Sequence, residues 1–159
     1  FPEVWQKFSD HVDGSDDLIE AYITRLTSED QDIALAAGEA WSGYESACAT
    51  LYPQSWTITS DEQHQRARIM ALIETHYYKH FAFDDKDGIL SLVDRFRHIP
   101  AVIVHGRYDM VTPISGAYDL HQKWPEADMI IVPDGGHSAL DPAIRDRLIA
   151  ATDNARSIR

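Results

Sequence analysis

Two residues in the second half of the chain are of the types that activate a hydroxyl nucleophile. Asp109 closes the run His105-Gly106-Arg107-Tyr108-Asp109, and His137 stands in Pro133-Asp134-Gly135-Gly136-His137-Ser138. A neutral imidazole can take the proton of a serine hydroxyl, while a carboxylate behind it fixes the tautomer and stabilises the imidazolium that forms. Singly, each residue has an ordinary explanation, Asp109 as a turn residue and His137 as a loop histidine beside flexible glycines. Chemistry is favoured because each follows its own short apolar run, and ligand sites in open α/β sheets lie at the carboxyl ends of strands. An Asp109 oxygen is therefore expected within about 2.6–3.2 Å of a His137 ring nitrogen. The chain carries no serine in a Gly-x-Ser-x-Gly turn. Ser42 in A-W-S-G-Y and Ser115 in P-I-S-G-A come nearest, but both lack the first glycine and neither follows a strand run.

Other chemistry-bearing residues are weaker candidates. His76 and His80 are spaced to share a metal, yet no glutamate completes an H-E-x-x-H pattern and no third ligand is evident, so structural roles are expected and no metal site is assigned. Trp5, Trp41, Trp56 and Trp124 read as core or interface residues, with Trp41 also suited to line a pocket. Arg107, beside the acid, can brace a loop or contact a substrate.

The elements that must position these residues fall into two parts, with a boundary expected between residues 85 and 86. Residues 1–85 carry helical punctuation and no strand pattern. Pro2 suits a first helical turn, and the sequence through Val12 can be helical. Ser15, followed by Asp16 and Asp17, is the expected cap of a second helix reaching about Leu26. A third helix is predicted over residues 29–51, with Ile33, Ala37, Ala40, Tyr44, Cys48 and Leu51 as its apolar stripe and Tyr52-Pro53 as its stop. A fourth opens at Ser60 and runs to about His80. Residues 86–159 read differently. Ala101-Val102-Ile103-Val104 and Met129-Ile130-Ile131-Val132 are unbroken apolar runs of the kind found in buried parallel strands. Helices are predicted from Pro113 to about Lys123 and from Asp141-Pro142 onward. Strand, helix, strand, helix is the unit of a parallel α/β sheet, so the fold class is α/β. Two strands are too few for such a sheet, and an apolar strand edge is expected to be left open.

Composition narrows the function classes. Hydrophobic residues make up 44%, which is normal for a folded domain and too high for a disordered chain. The 26 Asp+Glu against 14 Lys+Arg give a net charge of −12, which repels phosphate backbones and anionic lipid. Nucleic-acid and membrane-surface binding are therefore not expected. No apolar stretch approaches the ~20 residues that span a bilayer. The opening F-P-E-V-W-Q-K-F has no basic stretch leading into an apolar one, so no signal peptide is expected. The lone Cys48 cannot form an internal disulfide, which fits a reducing cytoplasm.

The motifs together resemble a known family. V-I-V-H-G-R-Y-D at 102–109, D-L-H-x-x-W-P at 119–125 and G-H-S-A at 136–139 are similar to the C-terminal part of bacterial proline iminopeptidases, serine peptidases of the α/β-hydrolase fold. R-L-T-S at 25–28, A-W-S-x-Y-E at 40–45 and I-E-T-H-Y-Y at 73–78 resemble that family's helical cap. The order of acid before histidine is that of the fold as well. The resemblance implies a helical cap followed by the last β-α-β-α units of a mostly parallel sheet, with Asp109 and His137 as triad members. It also implies that Glu45 and Glu74 bind the free amino group of a peptide's N-terminal proline. Glu74 has Met70, Ala71, Tyr77 and Tyr78 within one turn, and Glu45 has Trp41 and Cys48, so either carboxylate would need a cation or hydrogen bonds, with an internal pair to Arg66 or Arg68, or a partly exposed edge, as the alternatives. No cofactor is implied. The nucleophile and oxyanion loop would belong to an N-terminal half of the same enzyme, so this chain alone is expected to be inactive. Another α/β-hydrolase, an esterase or amide hydrolase, and a non-catalytic binding module are the rival readings.

Overall fold

A computed structural model of the chain describes residues 1–52, 57–80 and 88–156. Trp56 and the predicted boundary at 85/86 lie outside the described residues. Helices α1 (Pro2–Asp10), α2 (Leu18–Leu26), α3 (Gln31–Ala49) and α4 (Asp61–His80) come first. A short turn at Ile89–Leu92 leads into α5 (Val93–Phe96), followed by β1 (Val102–Gly106), α6 (Ile114–Lys123), β2 (Asp128–Val132) and α7 (Pro142–Ala155). The chain divides into two compact units. The described residues of one are 1–47 and 57–80, and those of the other are 48–52 and 88–156.

Side-chain caps set two of the helix starts in the helical unit. Asp17, not Ser15, caps α2: its Oδ1 accepts the Glu20 N–H at 3.0 Å, while Ser15 Oγ accepts the Asp17 N–H and shapes the preceding turn. Ser60 Oγ accepts the Gln63 N–H at 3.3 Å and opens α4, with Gln63 reaching back to the Thr59 N–H. Rings fill the core. Phe8 stacks between Tyr22 and Tyr44, and Trp41 meets Tyr22 edge-on at 5.2 Å. Tyr22 is fully buried, so its hydroxyl needs a partner, and it donates to Phe8 O at 2.9 Å near the end of α1. Burial also pushes the Tyr22 phenol well above its ordinary pKa, which keeps it a donor.

The buried face of α3 differs from the predicted stripe. Ala34, Ala37, Gly38 and Trp41 face inward, whereas Ile33 is 42% exposed. Close approach selects small residues here: a Cβ built on Gly38 would lie 2.6 Å from the Arg68 Cα and N of α4. On α4 itself, Ala67, Ala71 and Thr75 recur every four residues on the buried face. Arg68 Nε donates to Leu26 O, which closes the end of α2. Trp41 is buried as predicted, but Trp5 is 45% exposed, its ring lying against Phe8 and Tyr44. His76 and His80 lie on the exposed end of α4 with ring centroids 4.6 Å apart.

In the second unit β1 and β2 pair in parallel, with Val102 opposite Asp128 and Gly106 opposite Val132. Helix α6 packs on β1, and α7 packs on both strands. Trp124 anchors a small core with Val93 and Ala127, its indole donating to Arg97 O at 3.0 Å. The strand centres are half-buried rather than buried. An apolar groove of about 760 Å³, lined in part by Val102, Val104, Ile130, Leu148 and Ala151, runs beside them. Two strands do not cover their own apolar runs. No helix among the described residues is long and apolar enough to cross a membrane.

Gly38→Ala tests the close approach of α3 to α4. A methyl group there must push helix backbone apart, so stability should fall by about 1–3 kcal/mol in urea unfolding. An unchanged midpoint would show that the two helices can separate without cost.

Candidate active site

The register of the sheet brings two loops together. Gly106 ends β1 opposite Val132, which ends β2, so both strands leave the sheet at the same carboxyl end. The loops then bond to each other: Arg107 N–H donates to Val132 O at 2.9 Å, and Tyr108 N–H to Gly135 O at 3.0 Å. Only glycine permits this approach, because a Cβ on Gly106 would lie 2.0 Å from Gly136 O and 2.6 Å from Gly135 O. The second loop is held from behind as well, with the His137 and Ser138 N–H groups both donating to Ala49 O at 2.9 and 3.0 Å.

Asp109 and His137 meet across this junction. His137 Nδ1 lies 3.0 Å from Asp109 Oδ2. A carboxylate only accepts, so Nδ1 carries the proton, and Nε2 of the neutral ring is left able to accept one. The Asp109 residue is 8% exposed, whereas the His137 side chain is 38% exposed. Asp109 Oδ1 accepts the Val111 and Thr112 N–H groups at 3.0 and 2.8 Å, and Oδ2 also accepts the Thr112 hydroxyl at 2.9 Å. Burial pushes the Asp109 carboxyl up, but the Thr112 N–H, the His137 ring and the Thr112 hydroxyl together outweigh it and hold the pKa below its ordinary value.

Two contributors were not identified from sequence. Thr112 touches both members of the pair, and its signal was the spacing D-x-x-T, an Asp followed by a residue that can close a turn on it. His105 Nε2 lies 3.0 Å from Thr112 O and 3.5 Å from Asp109 Oδ2, four residues before the acid. Arg107 is exposed, and its backbone rather than its side chain joins the loops.

Glu45 and Glu74 belong to the helical unit, apart from the unit that holds Asp109 and His137. Both are half-buried. Glu74 Oε2 accepts the Trp41 indole N–H at 2.7 Å. Of the internal alternatives, Arg68 points its Nε at Leu26 O. The apolar setting read for Glu74 is only partly present. Ala71 is buried, but Met70 and Tyr77 are exposed, and Tyr78 is exposed too although its ring lies 6.2 Å from that of Trp41. The Tyr78 phenol is pushed up by partial burial and then by the negative charges of Glu74 and Glu45, which places both carboxylates within its electrostatic reach.

The chain matches the alpha/beta hydrolase fold family across residues 8–143. It belongs to that family. Similar proteins named proline iminopeptidase occur in Xylella fastidiosa (42% identical over 97% of this chain and 50% of that protein) and Arabidopsis thaliana (37% over 99% and 43%). Another occurs in Neisseria gonorrhoeae (36% over 97% and 49%). The chain spans about half the length of the curated relatives it matches. Asp109 and His137 stand on the loops after β1 and β2 and are in contact, with the acid preceding the histidine in the chain. Among the described residues, no group of three or more His, Cys, Asp or Glu is placed to hold a metal ion.

The depressed Asp109 carboxyl predicts a pH dependence. Its pKa is lower folded than unfolded, so its stabilisation is present above the unfolded value of about 3.9 and is lost as pH falls through the folded one. Thermal unfolding followed from pH 6 downward should therefore show a shallower acid loss for Asp109→Asn than for the parent. Parallel curves would mean that the carboxylate gains nothing from its donors.

Proposed function

We propose that this chain supplies the acid–base half and the amine-recognition half of a serine aminopeptidase that releases N-terminal proline from peptides. The observation that carries the reading is the 3.0 Å contact between a buried carboxylate and an imidazole that remains accessible. His137 Nε2 takes the proton of an attacking serine hydroxyl, and Asp109 stabilises the imidazolium. The same imidazolium then protonates the leaving amine as the C–N bond breaks. In the second half of the cycle His137 deprotonates water, which hydrolyses the prolyl ester. The serine and the donors for the oxyanion belong to the N-terminal half of the same enzyme, and no cofactor enters the chemistry. Glu45 and Glu74, both partly buried and both acting on the Tyr78 phenol, receive the substrate's ammonium, a cation that meets their charge. The free Cys48 fits a cytoplasmic location.

The rival within the fold is an esterase or amide hydrolase with no need of an amine. Glu74→Gln in the full-length enzyme separates the two, because the swap keeps shape and removes charge. Loss of one partner of a charge pair costs about 2–5 kcal/mol. At the low end, kcat/KM for a free prolyl substrate should fall roughly thirtyfold or more. A neutral ester without the amine should be affected far less. Equal losses on both would remove the ammonium role. The rigorously purified 159-residue chain should leave prolyl amides at background, and turnover by it would mean that the nucleophile lies within it.

A further inference from the structure

We propose that Thr112 is a positioning residue for His137, its hydroxyl holding the imidazole in the tautomer and orientation that the base requires. This rests on the acid–base reading of Asp109 and His137 given above. The geometry is a closed triangle. Thr112 Oγ1 lies 2.9 Å from Asp109 Oδ2 and 3.2 Å from His137 Nδ1, and the third edge is the 3.0 Å contact between them.

Proton accounting gives the triangle a direction. The hydroxyl has one proton, and the carboxylate can only accept, so that proton goes to Oδ2. The hydroxyl oxygen then turns lone pairs toward Nδ1, and the Nδ1–H is shared between Oδ2 and Oγ1. With the proton on Nε2 instead, the Nδ1 lone pair would face the carboxylate, and the hydroxyl could reach it only by abandoning Oδ2. The arrangement therefore penalises the tautomer that cannot accept a proton at Nε2.

The threonine backbone is itself held on two sides. Its N–H donates to Asp109 Oδ1 at 2.8 Å, and its carbonyl oxygen accepts from His105 Nε2 at 3.0 Å. Its β-branch restricts χ1, so the hydroxyl loses little freedom on binding. The Val111 N–H on Oδ1 stops the carboxylate from rotating away. Valine has nearly the same shape without the hydroxyl, and serine has the hydroxyl without the branch.

The test uses the full-length enzyme with nitrogen-15-labelled histidine. It reads the strongly deshielded Nδ1 proton of His137 together with kcat and KM on a prolyl substrate. The parent should show the deshielded proton. Thr112→Val should weaken or lose that signal and lower kcat by about tenfold with KM little changed, as expected for loss of one hydrogen bond to a charged pair. Thr112→Ala removes the hydroxyl with less steric demand and should behave alike. Thr112→Ser should restore both signal and kcat. An unchanged signal and kcat in Thr112→Val and Thr112→Ala would overturn the proposal, as would Thr112→Ser being as damaged as Thr112→Val. Asp109→Asn separates the two levels. Where it abolishes the signal and Thr112→Val does not, the acid–base reading stands and the threonine role falls. Where it leaves the signal intact, both fall.

Discussion

A carboxylate withdrawn from water must have its charge met by donors, and much of the second unit serves that need at Asp109. Four donors converge on its two oxygens: two backbone N–H groups, one hydroxyl and one imidazole. The backbone donors come from the turn that follows the acid and cost little chain entropy. The imidazole comes from another loop, and it arrives because β1 and β2 end in register and because Gly106 lets the loops touch. A side chain at 106 would collide with the backbone at 135 and 136, and one at 135 would collide with Ile144 of α7.

The helical unit meets a related problem with rings in place of charges. Buried aromatics contribute large apolar area, but each polar tip has to be matched. Tyr22 matches its hydroxyl to a carbonyl near a helix end, and Trp41 matches its indole N–H to Glu74. The second pairing links core to surface: Trp41 is fixed by Phe8 and Tyr22, so the Glu74 carboxylate is fixed with it. A carboxylate held this way loses rotational freedom.

How much of this could be read in the sequence depended on whether the signal was local. The two apolar runs and the loops after them were legible, and so was the nearness of Asp109 to His137, because adjacent parallel strands place their following loops at one end of the sheet. The buried face of α3 was not legible. Hydrophobicity ranks Ile33 above Ala34 and Gly38, but contact with α4 at Gly38 selects by size. The cap of α2 was misread by two residues, since Ser15 and Asp17 are both good caps and only the backbone path separates them. The turn at Ile89–Leu92 and α5 were missed because neither is long enough to establish a period. Thr112 and His105 were missed for another reason: their roles depend on how the loop closes, and pair spacing does not carry that information.

The last carbonyl of α3 has a consequence for how the site assembles. A helix leaves its final carbonyls without partners inside the helix, and here Ala49 O accepts from both His137 and Ser138. The backbone of the histidine loop is thus tied to a segment from the first third of the chain. Contacts between residues so distant in sequence carry a high loop-closure cost and tend to form late. The position of the His137 backbone therefore depends on a residue 88 positions earlier in the chain as well as on the pairing of the two strands.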